Sequence, residues 1–173
     1  CRLGRGVAAK GHMIDKSMNK AAKTLRRFAL LLKKMSIDDY RVIATSAVRD
    51  ANNSAEFIQR IKNETGIDIE VIDGIEEARL SANGVICAVP HATGIIGDMG
   101  GGSLELAMVH DRQVDHEISL PIGPLQFQDD TGVKLDAPKE KIDQHLDSVD
   151  WLKKARGRKF YAVGGAWRTL ARI

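Results

Sequence analysis

Two carboxylic acids, three consecutive glycines and a serine stand together in Asp98-Met99-Gly100-Gly101-Gly102-Ser103-Leu104-Glu105. Glycines let a backbone offer consecutive N–H groups to an anion, because no Cβ blocks its approach. Asp98 and Glu105 are hard oxygen ligands of the kind Mg²⁺ accepts beside a phosphate. An acid on each shoulder of the turn, with Ser103 just after it, points to phosphate binding. A β-hairpin with a glycine-rich turn has the same glycines, and those residues alone do not separate the two readings.

The elements that must carry this turn follow from periodicity. Ile95-Ile96-Gly97 runs into Asp98, and Ser103 to His110 and Val114 to Leu120 read as the next two strands. Ile67, Ile69 and Val71 alternate with Asp68 and Glu70, which predicts a strand with one polar face. Ile75-Glu76-Glu77-Ala78-Arg79-Leu80 then opens a helix to about Ala88. Acids in a first helical turn complement the macrodipole; a catalytic carboxylate at a strand-to-helix junction would sit there equally well. Further upstream, Tyr40 to Thr45 reads as a buried strand and leads towards a helix, with Asn53 and Glu56 as a capping box and Gly66 as its stop. Arg49 lies at the C-terminal end of that strand, where ligands gather in alternating α/β folds, or else it pairs with Asp50. Cys1 to Gly11 fits the end of a strand and a loop. Met18, Ala21, Ala22, Leu25, Phe28, Ala29, Leu32 and Met35 mark an amphipathic helix from Asp15, with lysines and arginines on its solvated face. Beyond the break at Pro121-Ile122-Gly123-Pro124, the spacing of Ile142, Leu146, Val149 and Leu152 predicts a helix beginning near Pro138. Phe160-Tyr161-Ala162-Val163 reads as a short buried strand running into Gly164-Gly165, a second strand–glycine–helix junction. Close backbone packing and a ligand role explain that glycine pair equally.

Composition narrows the function classes. The 173 residues suffice for one ordinary domain or one lobe of a larger protein. A net charge of +3 makes no case for a nucleic-acid polymer as partner. No apolar run approaches membrane-spanning length. Cys1 and Cys87 lie far apart with no CxxC or Cys/His cluster, which disfavours structural zinc and suits a reducing cytoplasm. The five histidines show no metal-ligand spacing. There is no Walker A lysine and no Gly-x-Ser-x-Gly elbow. Without an initiator Met, and with Trp167 to Ile173 inside an apparent helix, the chain reads as an internal fragment.

Six stretches, in order, resemble the exopolyphosphatase/guanosine pentaphosphate phosphatase family of the actin-like ATPase superfamily. They are Arg2-Leu3-Gly4, Ala44-Thr45-Ser46-Ala47-Val48-Arg49, Ile75 to Leu80, Asp98 to Leu106, Leu120-Pro121-Ile122-Gly123, and Ala162 to Ala171. The resemblance implies an α/β fold, a ribonuclease-H-like mixed sheet flanked by helices and truncated at both ends. On that view residues 1–123 are the phosphatase domain lacking its first strands, and 124–173 a connecting helix and the start of a second lobe. It implies a Mg²⁺-dependent enzyme that releases terminal orthophosphate from inorganic polyphosphate or guanosine pentaphosphate, cytoplasmic and, at full length, a homodimer. By motif position Glu77 corresponds to the catalytic carboxylate. Asp98 and Glu105 correspond to the acids around the metal; Gly100, Gly101, Gly102, Ser103 and Arg49 correspond to phosphate ligands. The family's first phosphate loop has no counterpart in the sequence, so the fragment alone is expected to be inactive. A non-catalytic phosphate- or nucleotide-binding lobe, or a related ATPase or kinase, is the alternative.

Overall fold

The computed structural model describes residues 3–129, 132–133 and 138–172. Cys1, Arg2 and Ile173, named above, lie outside them. By backbone packing the chain falls into two compact units, Cys1–Ile72 and Asp73–Ile173.

The first unit orders α1 (Val7–Lys10), α2 (Asp15–Lys34), β1 (Val42–Ala44), α3 (Ser46–Arg49), α4 (Ser54–Thr65) and β2 (Ile69–Val71). Strands β1 and β2 pair in parallel, Val42 opposite Ile69 and Ala44 opposite Val71. Its core gathers Met13, Met18, Ala22, Val48, Phe57, Ile61 and Ile67. The apolar stripe expected on α2 is therefore only partly used, and Phe28, Leu31 and Met35 stay exposed.

Three expectations change here. The segment before Gly11 is a single helical turn, not a strand end, bracketed by Gly6 and Gly11 in left-handed conformations. Strand β1 is short and half-exposed rather than buried, because β2 is its only pairing partner among the described residues. Asn53 does not cap α4 with its side chain. Its amide instead accepts from the Met13 N–H (2.9 Å) and donates to the Met13 carbonyl (3.0 Å), bracing the loop before α2. Gly66 does end α4 in the left-handed region, its N–H donating to Lys62 O.

The second unit orders α5 (Gly74–Ala88), β3 (Gly94–Met99), β4 (Leu104–His110), β5 (Gln113–Leu120), a 3-10 turn (Pro124–Phe127), the short β6 (Gln128–Asp129) and β7 (Gly132–Val133), α6 (Pro138–Asp147), α7 (Asp150–Lys154), β8 (Lys159–Val163) and α8 (Gly165–Leu170). Four strands form one mixed sheet in the order β5-β4-β3-β8, with β3 antiparallel to β4 and parallel to β8. Helix α5 packs on one face over Ile96, Ala107 and Val109, using Ala82 and Ile86. The other face buries Ile95, Leu104, Leu106 and Met108 with Val149 and Ala155. Covered on both faces, β4 is buried along all but its last residue, as a run of apolar residues requires.

The single helix expected from Pro138 breaks into α6 and α7. Val149 turns into the core at the break, and the Ser148 hydroxyl donates to His145 O. Strand β8 returns to pair with β3 inside the same unit; the division at Gly123 concerns domains of a longer protein and remains a proposal for it. No helix among the described residues is long and apolar enough to cross a membrane.

Candidate active site

One transverse row across the sheet organises the site. Ser119 on β5, Glu105 on β4, Asp98 on β3 and Val163 on β8 are successive cross-strand partners. Directly opposed residues project to the same face, so Glu105 and Asp98 lie side by side on the face that α5 covers. The row ends the apolar stripe of Ile96 and Ala107 and begins the glycine turn.

Helix α5 reaches the row from above. Its N-cap, Asp73, accepts the Glu76 N–H (2.8 Å), the bond a helix start needs. Its first residue, Gly74, presses against Ser119 so closely that no side chain fits there. One turn along stands Glu77, half-buried; one turn further, the Ser81 hydroxyl donates to Asp98 Oδ2 at 2.6 Å. Glu77 and Ser81 are four residues apart and share a helix face, so Glu77 belongs to the side of the sheet that bears Asp98 and Glu105. Arg79 points elsewhere along α5, pairing with Glu117 of β5 and with Glu76.

Glu105 is only 2% exposed, and the Ser119 hydroxyl donates to its Oε1 at 2.8 Å. Burial pushes its pKa up; the Ser103 and Ser119 hydroxyls pull it back, and the Glu77 and Asp98 charges push it up again. Glu105 thus lies within electrostatic reach of two other carboxylates. Ser103 is itself buried, and its Oγ lacks a partner at hydrogen-bond geometry, although its dipole still reaches Glu105.

The glycine turn is closed by the Gly100 N–H donating to Ser103 O (3.0 Å). Its carbonyls face the segment after β5: Leu125 N–H donates to Gly101 O (2.7 Å), and the Gln126 side chain donates to Gly102 O (2.9 Å). Among the described residues, the N–H groups of Gly101, Gly102 and Ser103 have no acceptor in the chain. A loop with engaged carbonyls and unused amides is built to receive an anion. Gly123 holds it from behind: a Cβ there would lie 2.5 Å from Gly101 O, Gly102 C and Ser103 N.

The second glycine junction joins the same end of the sheet. Gly164 has φ +102°, and a Cβ on it would stand 3.0 Å from Asp98 Oδ1 and from Met99 O. The sequence left its role open; pairing of β8 with β3 brings it against the Asp98 carboxylate. Ser81 and Ser119 carried no motif signal at all, since their partners come from other elements.

Arg49 belongs to the first unit. There its guanidinium donates to Ile72 O (3.1 Å) and pairs with Asp50 at 3.4 Å.

Among the described residues no group of three or more His, Cys, Asp or Glu has the arrangement of a metal cage. Mg²⁺, however, keeps several waters and uses one or two carboxylates together with substrate phosphates. Two neighbouring hard carboxylates beside an anion-receiving loop fit that mode. Like charges opposed across a sheet otherwise destabilise it, and a cation would relieve this.

The chain is similar to several known proteins. An exopolyphosphatase structure from Cytophaga hutchinsonii superposes with a TM-score of 0.83 at 30% identity, covering 98% of this chain and 58% of that one. A Ppx/GppA structure from Aquifex aeolicus gives 0.70 at 28%, covering 98% and 56%. Exopolyphosphatase 1 of Mycobacterium leprae is 33% identical over 124 residues, 70% of this chain and 37% of the relative. The chain thus spans little more than half of the solved relatives' length. The model of the Ppx/GppA phosphatase family matches residues 1–167, and with the acid row and glycine loop in place, the chain belongs to that family.

Proposed function

We propose that the protein carrying this chain is a phosphohydrolase that releases terminal orthophosphate from inorganic polyphosphate, guanosine pentaphosphate or both. The carrying observation is that Asp98 and Glu105 are cross-strand partners, Glu77 stands on the helix face that meets them, and the Gly101, Gly102 and Ser103 amides of the adjoining loop have no acceptor among the described residues. Kinship with proteins named exopolyphosphatases supports polyphosphate. Guanosine pentaphosphate presents the same terminal group, so these residues serve either.

Phosphoryl transfer asks for in-line positioning and charge neutralisation more than for covalent chemistry. Gly101, Gly102 and Ser103 cradle the terminal phosphate through their N–H groups and the Ser103 hydroxyl, and Gly100 closes the turn that presents them. Glu77 orients or deprotonates the attacking water. Asp98 and Glu105 would hold Mg²⁺, which when bound supplies positive charge to the phosphate oxygens. Arg49 is proposed as the guanidinium that family membership implies near that phosphate. The homodimer and the cytoplasmic setting are proposals for the same longer protein.

Orthophosphate release from both substrates, with and without Mg²⁺, tests the reading. Glu77→Gln should lower turnover by about 10²- to 10⁴-fold, the usual contribution of a general base, with KM little changed. Full activity in that variant would sink the assignment. A phosphate-binding lobe without hydrolysis is the second reading. It expects phosphate binding with no cation-dependent release.

A further inference from the structure

Asp98 is approached from two sides by elements that the motifs do not connect. The Ser81 hydroxyl, from α5, donates to Oδ2 at 2.6 Å, a short bond of the kind a charged acceptor makes. Oδ1 faces Gly164, where an added Cβ would stand 3.0 Å away, so the missing side chain sets the space this oxygen occupies. A carboxylate torsion is otherwise broad and two-fold, so an unheld Asp98 would sample many orientations. Ser81 also stands one turn beyond Glu77, so the same bond ties the helix bearing Glu77 to the strand bearing Asp98.

We infer that Ser81 and Gly164 clamp the Asp98 carboxylate between them and are positioning residues for the site. The inference rests on the proposed reading that Asp98 is a cation ligand. The clamp fixes the carboxylate plane before any ligand arrives, and fixes Glu77 relative to it. Partners of this kind, which touch a metal ligand but not the metal, typically govern affinity about 10- to 100-fold.

The test uses the longer protein with Ser81→Ala and Ser81→Thr. Mn²⁺ binding to the metal-free protein is titrated by electron paramagnetic resonance, beside the Mg²⁺ concentration for half-maximal orthophosphate release and the melting midpoint. Ser81→Ala should weaken Mn²⁺ binding about 10- to 100-fold and raise the Mg²⁺ requirement by a similar factor. Ser81→Thr, which keeps the hydroxyl, should restore both. Wild-type-like Mn²⁺ affinity in Ser81→Ala overturns the clamp, and a lowered melting midpoint with unchanged affinity does so too, leaving Ser81 a packing residue. If wild type binds Mn²⁺ in a Ser81-dependent way yet releases no phosphate, the clamp stands and the phosphohydrolase reading falls.

Discussion

Glu105 shows at the level of one residue what a buried carboxyl costs in stability. It is buried beside two other carboxylates, with the Ser119 hydroxyl donating to one of its oxygens, and folding raises its pKa above the ordinary 4.5, chiefly through burial. A carboxyl with a raised folded pKa holds its proton more tightly when folded. Its contribution to stability is complete below 4.5 and is lost as pH rises through the raised value. In protein stripped of cations, the melting midpoint should therefore fall with rising pH across that window. Glu105→Gln should flatten this dependence and raise the midpoint at pH 7, while removing a proposed cation ligand. A calorimetric pH series on both proteins checks it; an unchanged slope in the variant would mean that Glu105 is not the group responsible.

Among the elements, the hairpin of β3 and β4 and the segment after β5 are one mechanical piece. The carbonyls of Gly101 and Gly102 are taken by residues 123–126, and Gly123 fits against the loop without room for a methyl. Gly123→Ala forces the loop backbone to move, since all three atoms the methyl would meet belong to the backbone. Overpacking of this kind costs about 1–3 kcal/mol. Urea unfolding should show that loss, and orthophosphate release should drop with it because the displaced amides no longer converge. Unchanged stability would show that the 120–126 segment yields freely. Helix α5 was legible as a run opening at Ile75 with acids in its first turn and ending near Ala88; its cap, Asp73, and its start at Gly74 came only with the structure. The Asn53 cap was not, because an amide that can cap a helix can equally brace a loop, and Met13 competed for it.

On the scale of the molecule, each unit has its own core and neither depends on one long-range device. In the first unit Phe57 and Ile61 of α4 meet Met13 and Met18 around α2, all almost wholly buried. Phe57→Ala should cost about 3–5 kcal/mol of unfolding free energy, measured by chemical denaturation. A loss well under that would mean the pocket collapses around the missing ring. In the second unit β4 is buried on both faces, and the row of Ser119, Glu105 and Asp98 lies where its apolar run ends.

Local order was written plainly along the chain. Glycine turn, flanking acids, strand alternation and helix periods depend on near neighbours, so they could be read without coordinates, and ordered motifs carried the family. Pairing across the sheet could not be read that way. That Ser119, Glu105 and Asp98 form one row, that Ser81 bonds to Asp98 and that Gly164 sits against its other oxygen all depend on strand order and register. Register is fixed by which faces are buried and how elements close on one another, a property of the packed chain and not of any stretch within it.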